Sequence, residues 1–309
     1  MKFNVEKNIE IEAPLSKVRT LIQDFKEWNS WSPWTIIEPE CPIEIEGNPG
    51  EVGHSMHWEG KIIGSGKNTL SSIEGSTFNY DLEFIKPWKS KAKTSLILED
   101  AGTKTKVTWT MKSSMPFFLF FMVKTMKNWI GMDYDRGLRM LKEIAENDKI
   151  NCTTKNEGSI DYKGFSYLGI KRTVSFNEMP ENMKKDFEKL ERDIVTDRKK
   201  NAEKWICIYP KFDMRNMNVT YIAAVSDENL KKEDLGPDYI AGQIQDSNAI
   251  EIKHDGSYDF LGNAWSMGMM IMQSNKHKKN GFPFEQYWNN PQNVSPNELK
   301  TSVFFPIKS

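Results

Sequence analysis

The chain has little with which to build a covalently or metal-stapled fold: three cysteines, Cys41, Cys152 and Cys207, are scattered over 309 residues. No two stand at a CxxC spacing, no even set makes a disulfide framework, and none has zinc-site spacing. They are expected as reduced thiols of a cytoplasmic protein. Charge of one sign is also missing. Lys and Arg number 42 against 43 Asp and Glu, a net of -1 with no long basic block, which leaves no electrostatic case for nucleic acid. Long hydrophobic runs are absent too: the strongest, Met115 to Val123, falls well short of the roughly 20 residues a membrane-spanning helix needs. It is expected to start a helix packed on its own sheet rather than to touch a membrane. The amino terminus, Met1-Lys2-Phe3-Asn4-Val5-Glu6-Lys7, lacks the apolar core of a signal peptide.

What is present suits two α+β domains of about 150 residues each. Asn8 to Glu12 alternates as a strand, and Ser16 is placed to cap a helix through Val18, Leu21, Ile22 and Phe25. Trp28, Trp31 and Trp34 follow among turn residues, three rings that need something to cover. Short alternating runs then predict a meander: Gly53–Trp58, Gly60–Lys67, Asn68–Ile73, Ser76–Ile85, Lys91–Glu99 and Lys104–Met111. From Phe117 to Ile144 the period becomes that of one long helix. His54 and His57, three apart on a predicted strand, point to opposite faces and do not chelate together. Gly64-Ser65-Gly66-Lys67 lacks the spacing of a phosphate loop, so no metal and no cofactor is expected.

The stretches "IEAPLSKVRTLIQDFKEWNSW" and "GMDYDRGLRMLKEIAE", with the meander between them, resemble the polyketide-cyclase-like branch of the START-related (SRPBCC) superfamily over residues 1–148. The resemblance implies a helix-grip fold: a curved antiparallel sheet around a long helix, with an apolar cavity for small molecules.

The polar stretch from Glu146 to Gly158 reads as an exposed linker. Beyond it one pattern occurs twice: strand Tyr167–Phe176, helix Met183–Val195, strands Lys204–Tyr209 and Val219–Val225; then strand Tyr239–Ile252, helix Tyr258–Gln273, strands Phe282–Trp288 and Lys300–Pro306. Two β-α-β-β repeats imply a pseudo-twofold domain over 159–309 with a cleft where the halves meet. Lys184 to Lys200 reads as a helix with a charged outer face and Phe187, Leu190 and Ile194 inward. Within the second repeat, Phe284-Glu285-Gln286-Tyr287 sets one carboxylate in an apolar aromatic strand, where an ionised group is costly unless paired.

"IEIKHDGSYDFLGNAW" and "GFPFEQYWNNPQNVSPNELKTSVFFPI" resemble the gyrase-inhibitor-like (GyrI-like) effector-binding domains over about 159–309. The resemblance implies uptake of small, often aromatic or cationic molecules in an aromatic cleft, with Glu285 as the cleft carboxylate. Tyr258 and Trp265 on one helix face, with Tyr287 and Phe284 beside Glu285, are the candidate ligand-binding residues, core packing being the alternative for the aromatics. Many relatives have an acid after the Thr of the last strand, where this chain has Thr301-Ser302. Some relatives are hydrolases of strained electrophiles, so the resemblance also allows a detoxifying enzyme with Glu285 as general base and Tyr258 or Tyr287 as its partner. A protein partner such as a topoisomerase enters by analogy only. Lone His254 is expected to stabilise the turn before Tyr258.

Overall fold

Phe3, Val5 and Ile11 of the alternating amino terminus are buried on one face of strand β1 (Lys2–Ile11). The computed structural model describes residues 1–196, 202–226 and 236–308 and divides into two units, Met1–Asn151 and Cys152–Ser309.

In the first unit, helix α1 (Leu15–Gln23) starts directly after Pro14, and Ser16 lies inside the helix instead of capping it. Phe25 belongs to a separate helix, α2 (Phe25–Trp31), because Asp24 is extended and its carboxylate accepts the Lys26 N–H at 2.9 Å. An acceptor side chain at that position satisfies an orphan amide and starts a new helix. Strands β2 (Ile43–Glu46), β3 (Ser55–Glu59), β4 (Ser65–Glu74), β5 (Thr77–Lys86), β6 (Ser90–Ala101) and β7 (Lys104–Ser114) follow. With β1 they form a seven-stranded antiparallel sheet in the order β1-β7-β6-β5-β4-β3-β2. The strand expected over Gly60–Lys67 is a turn as far as Gly64, closed by the Gly60 N–H on the Gly64 carbonyl at 2.8 Å. Helix α3 (Val123–Asn147) packs on β1, α1 and α2. This is the helix-grip arrangement.

Aromatic rings fill the interior between sheet and helix. Trp109 of β7 stacks on Tyr134 of α3 with ring centres 4.0 Å apart, and Trp28 and Trp31 meet its ring at 6.0 and 5.6 Å. Each polar edge has an acceptor: Trp28 donates to the Ile22 carbonyl, Trp31 to the Leu21 carbonyl and Trp109 to Thr94 Oγ1. Buried indoles keep such partners because an unmade hydrogen bond there costs more than a made one gains. His54 is a buried brace, accepting the Phe25 N–H at Nε2 and meeting the Glu46 carbonyl through Nδ1, whereas His57 lies partly exposed on β3.

The apolar run departs from expectation. Phe117–Met122 forms a 3₁₀ turn, distorted at Leu119, and its four phenylalanines are exposed rather than packed on the sheet.

In the second unit the polar stretch expected as a linker is mostly structured. α3 runs to Asn147 and strand β8 (Cys152–Tyr162) begins five residues later. After it come β9 (Phe165–Ser175), α4 (Met179–Leu190), a π-helical turn (Glu191–Thr196), β10 (Lys204–Asp213), β11 (Asn218–Ser226), β12 (Ile240–Ile244), β13 (Ser247–Gly256), a 3₁₀ turn (Tyr258–Phe260), α5 (Gly262–Ser274), β14 (Phe284–Tyr287) and β15 (Lys300–Ile307). Phe187, Leu190 and Ile194 do face inward; the end of that charged run, 197–200, lies outside the described residues.

The eight strands run antiparallel in the order β12-β9-β11-β10-β14-β15-β13-β8. The β-α-β-β units are β9-α4-β10-β11 and β13-α5-β14-β15, each preceded by one further strand. Those extra strands are exchanged: β8 pairs with β13 of the second repeat, and β12 with β9 of the first. The β8–β9 and β12–β13 connections meet, where the Gly164 N–H donates to Asp246 Oδ1 at 2.7 Å. A Cβ on Gly164 would stand 2.3 Å from the Ile244 carbonyl oxygen, so only glycine allows this approach. β10 and β14 meet at the pseudo-twofold centre.

Candidate functional site

Strand periodicity of two splits β14 between two buried faces. Phe284 and Gln286 look one way, Glu285 and Tyr287 the other. Across the ladder Glu285 is paired with Cys207 on β10 and Val303 on β15. The Glu285 face is the one covered by helices: α4 brings Met183 and Phe187 against it, and α5 brings Trp265. A carboxylate on the central strand therefore ends up between the two helices of a pseudo-symmetric pair.

Glu285 is 3% exposed. Tyr209 donates to its Oε2 at 2.8 Å, Tyr287 donates to the same oxygen, and Trp265 Nε1 donates to Oε1 at 2.5 Å. Burial raises the carboxyl pKa, and these three donors pull it only part of the way back. The rings interlock around it. Tyr209 and Trp265 meet edge-on at 4.8 Å, Trp265 meets Phe305 at 5.5 Å, and Tyr287 meets Phe187 at 5.5 Å and Tyr258 at 5.8 Å. Burial, then the Glu285 charge, pushes the Tyr258 phenol up to about 12, so it is a neutral donor at ordinary pH.

A second buried carboxylate on the same face shows what is unusual about the first. Asp186 of α4 receives two bonds from Arg172 Nε and one from Arg172 Nη2, all between 2.7 and 2.8 Å, and another from Tyr221. It has its cation and clamps α4 to β9 and β11. Among the described residues no Lys, Arg or His forms an ion pair with Glu285: its three donors are all neutral aromatic side chains. A desolvated carboxylate without a counter-charge is the more expensive arrangement.

Of the residues read from the sequence, Glu285, Trp265 and Tyr287 are brought into direct contact, and Tyr258 stands at the more exposed rim against Tyr287. Phe284 is not with them. Its ring lies on the opposite face against Phe304 at 5.0 Å and Tyr162 at 5.2 Å, because adjacent strand residues cannot share a face. Ser302 also faces away from Glu285, giving its hydroxyl proton to Glu251 Oε1 at 2.7 Å and accepting from Trp288 Nε1. The missing acid at 302 thus concerns the far face. His254 is fully buried and meets the Ser257 carbonyl through Nε2 and Thr154 through Nδ1, bracing the turn as expected; burial lowers its pKa. Tyr209 and Cys207 were missed. The alternation of β10 already puts them on one face, but only the β10–β14 register puts that face against Glu285. Burial drives the Cys207 thiol well above its ordinary range, with Glu285 adding to it, so it is an inert thiol. Among the described residues no group of three or more His, Cys, Asp or Glu is placed to hold a metal.

Residues 2–146 match the family described as polyketide cyclase / dehydrase and lipid transport. Residues 160–308 match the GyrI-like small molecule binding domain. No curated protein matches the chain. Similar solved structures include the solution structure of the Aha1 dimer from Colwellia psychrerythraea, 18% identical, covering 48% of this chain and 99% of that one at a TM-score of 0.36. The C-terminal domain of EcmrR is 19% identical, with 51% and 97% covered and a TM-score of 0.38. The EcmrR–DNA complex is 16% identical, with 62% and 68% covered at 0.41.

Proposed function

The chain joins a polyketide cyclase-type (SRPBCC) domain to a GyrI-like small-molecule binding domain, and from that premise we propose that its second unit takes up an aromatic cation between α4 and α5. Glu285 is the anionic anchor, Trp265 and Tyr287 are the walls, and Tyr258 is the rim. The observation that carries this reading is a buried carboxylate supplied only with neutral aromatic donors, beside a neighbour, Asp186, that has its arginine. A flat cation entering the chamber replaces those donors with an opposite charge and lays its ring against indole and phenol faces. The rings that cover Glu285 must turn aside for such a ligand to reach it.

N-methylquinolinium and the neutral 1-methylnaphthalene, equal in shape, separate the charge from the stacking. Titration into the full chain, followed by tryptophan fluorescence, should give tighter binding of the cation. Glu285→Gln should abolish that preference, weakening the cation about 10- to 100-fold, the worth of a desolvated charge contact, and leaving the neutral ring nearly unaffected. Equal affinities of the cation for wild type and Glu285→Gln would overturn the reading.

The direct Tyr287–Glu285 contact also favours a second reading, hydrolysis of a strained electrophile. Water oxygen would bond to the electrophilic carbon, its proton passing to Glu285, while the leaving atom of the opened ring takes the Tyr287 phenol proton. Turnover of an epoxide that survives Glu285→Gln removes this reading and leaves binding untouched.

A further inference from the structure

Four phenylalanines of one short turn in the first unit face solvent: Phe117 is 81% exposed, Phe118 63%, Phe120 65% and Phe121 52%. Trp129, on α3, is 46% exposed. Single exposed hydrophobes are ordinary, but a contiguous run of this size marks an interaction site. Pro116 and the distortion at Leu119 hold the run as a 3₁₀ turn ahead of α3, and within it Phe117 and Phe118 stand at 83° to each other, Phe120 and Phe121 at 89°.

The charge around the turn is one-sided. From Lys112 to Met132 the chain carries Lys112, Lys124 and Lys127 and no Asp or Glu, in a protein whose net charge is -1. All three lysines are exposed. Such a patch attracts a negative surface and repels its own copy, which disfavours self-association through this face.

We infer that the Phe117–Met122 turn is an interfacial anchor that inserts its phenylalanine rings into an anionic phospholipid surface, with the lysines at the level of the headgroups. Exposed apolar rings with exposed lysines close by in sequence match the pattern by which a peripheral protein lies on a bilayer without crossing it. Among the described residues no helix is long and apolar enough to span a membrane. The inference is independent of Glu285 and of the proposed uptake of a cation.

The test is co-sedimentation of the full chain with sucrose-loaded vesicles of phosphatidylcholine alone or mixed with phosphatidylglycerol. The protein should pellet with the mixed vesicles and be released by salt. Phe118→Ser with Phe121→Ser should lower the partition coefficient at least ~10-fold, and Lys124→Glu with Lys127→Glu should lower it on anionic vesicles alone. These side chains are exposed, so the variants should keep the wild-type melting temperature; if the serine pair does not, the glutamate pair decides. The inference fails if wild type stays in the supernatant, or if neither pair changes partition. It fails equally if sedimentation velocity shows phenylalanine-dependent dimers that leave vesicles unbound.

Discussion

At Glu285 the same burial that supports a ligand reading makes a statement about stability. The carboxyl pKa of the folded protein is raised above the ordinary 4.5, so between that value and the raised one the folded chain holds a proton the unfolded chain has released. Stability from this group is complete below about pH 4.5 and is lost as pH climbs through the folded pKa. A cationic ligand runs the other way, because it needs the ionised form and binds better as pH rises through the same window. The difference in melting temperature between wild type and Glu285→Gln, measured without ligand from pH 4 upward, should therefore shift against wild type as pH increases. A difference flat in pH would mean that Glu285 ionises in the folded protein as freely as in the unfolded one.

At the scale of elements, alternation and helical period reveal most strands and all the long helices, since those signals are local. They fail where a boundary is decided by a single backbone group. Asp24 breaks one expected helix into α1 and α2, and the Gly60–Gly64 turn shortens an expected strand. β8 is too polar to read as a strand, for seven of its residues from Thr153 to Ser159 include no large apolar side chain. It is held by the ladder to β13 instead. Within the site, Glu285, Tyr287 and Trp265 were legible from type and spacing. Phe284 was misplaced by nearness in sequence, and Tyr209 awaited the register.

Helix α5 packs closely on this sheet at Gly268. A Cβ there would stand 2.0 Å from a Phe305 ring carbon, so the helix must lift or the ring must turn. Gly268→Ala should destabilise the second unit by about 1–3 kcal/mol, as overpacking does, despite the better helix propensity of alanine. Because Trp265 is one turn away and donates to Glu285, the lift should also loosen the chamber and speed ligand entry. Thermal melting and stopped-flow fluorescence measure the two effects. An unchanged melting temperature would show that α5 is not held where the ring contacts place it.

For the molecule as a whole, strand exchange decides where the second unit begins. β8 precedes the first repeat but, among the described residues, pairs only with β13 of the second, from Cys152 opposite Gly256 to Tyr162 opposite Ser247. A boundary placed at 159, as composition suggests, or at 160, where the family match starts, cuts through that ladder. It would expose the backbone of β13, which carries buried Ile250 and Ile252, as an unpaired edge prone to pairing with other chains. A fragment of residues 152–309 should therefore melt in one cooperative transition and stay monomeric. A fragment of 160–309 should melt lower by several degrees, since each kcal/mol lost shifts a domain of this size by about 2–4 °C, and should aggregate on concentration. Equal melting of the two fragments would show that β8 adds nothing to the unit and that its pairing to β13 is dispensable.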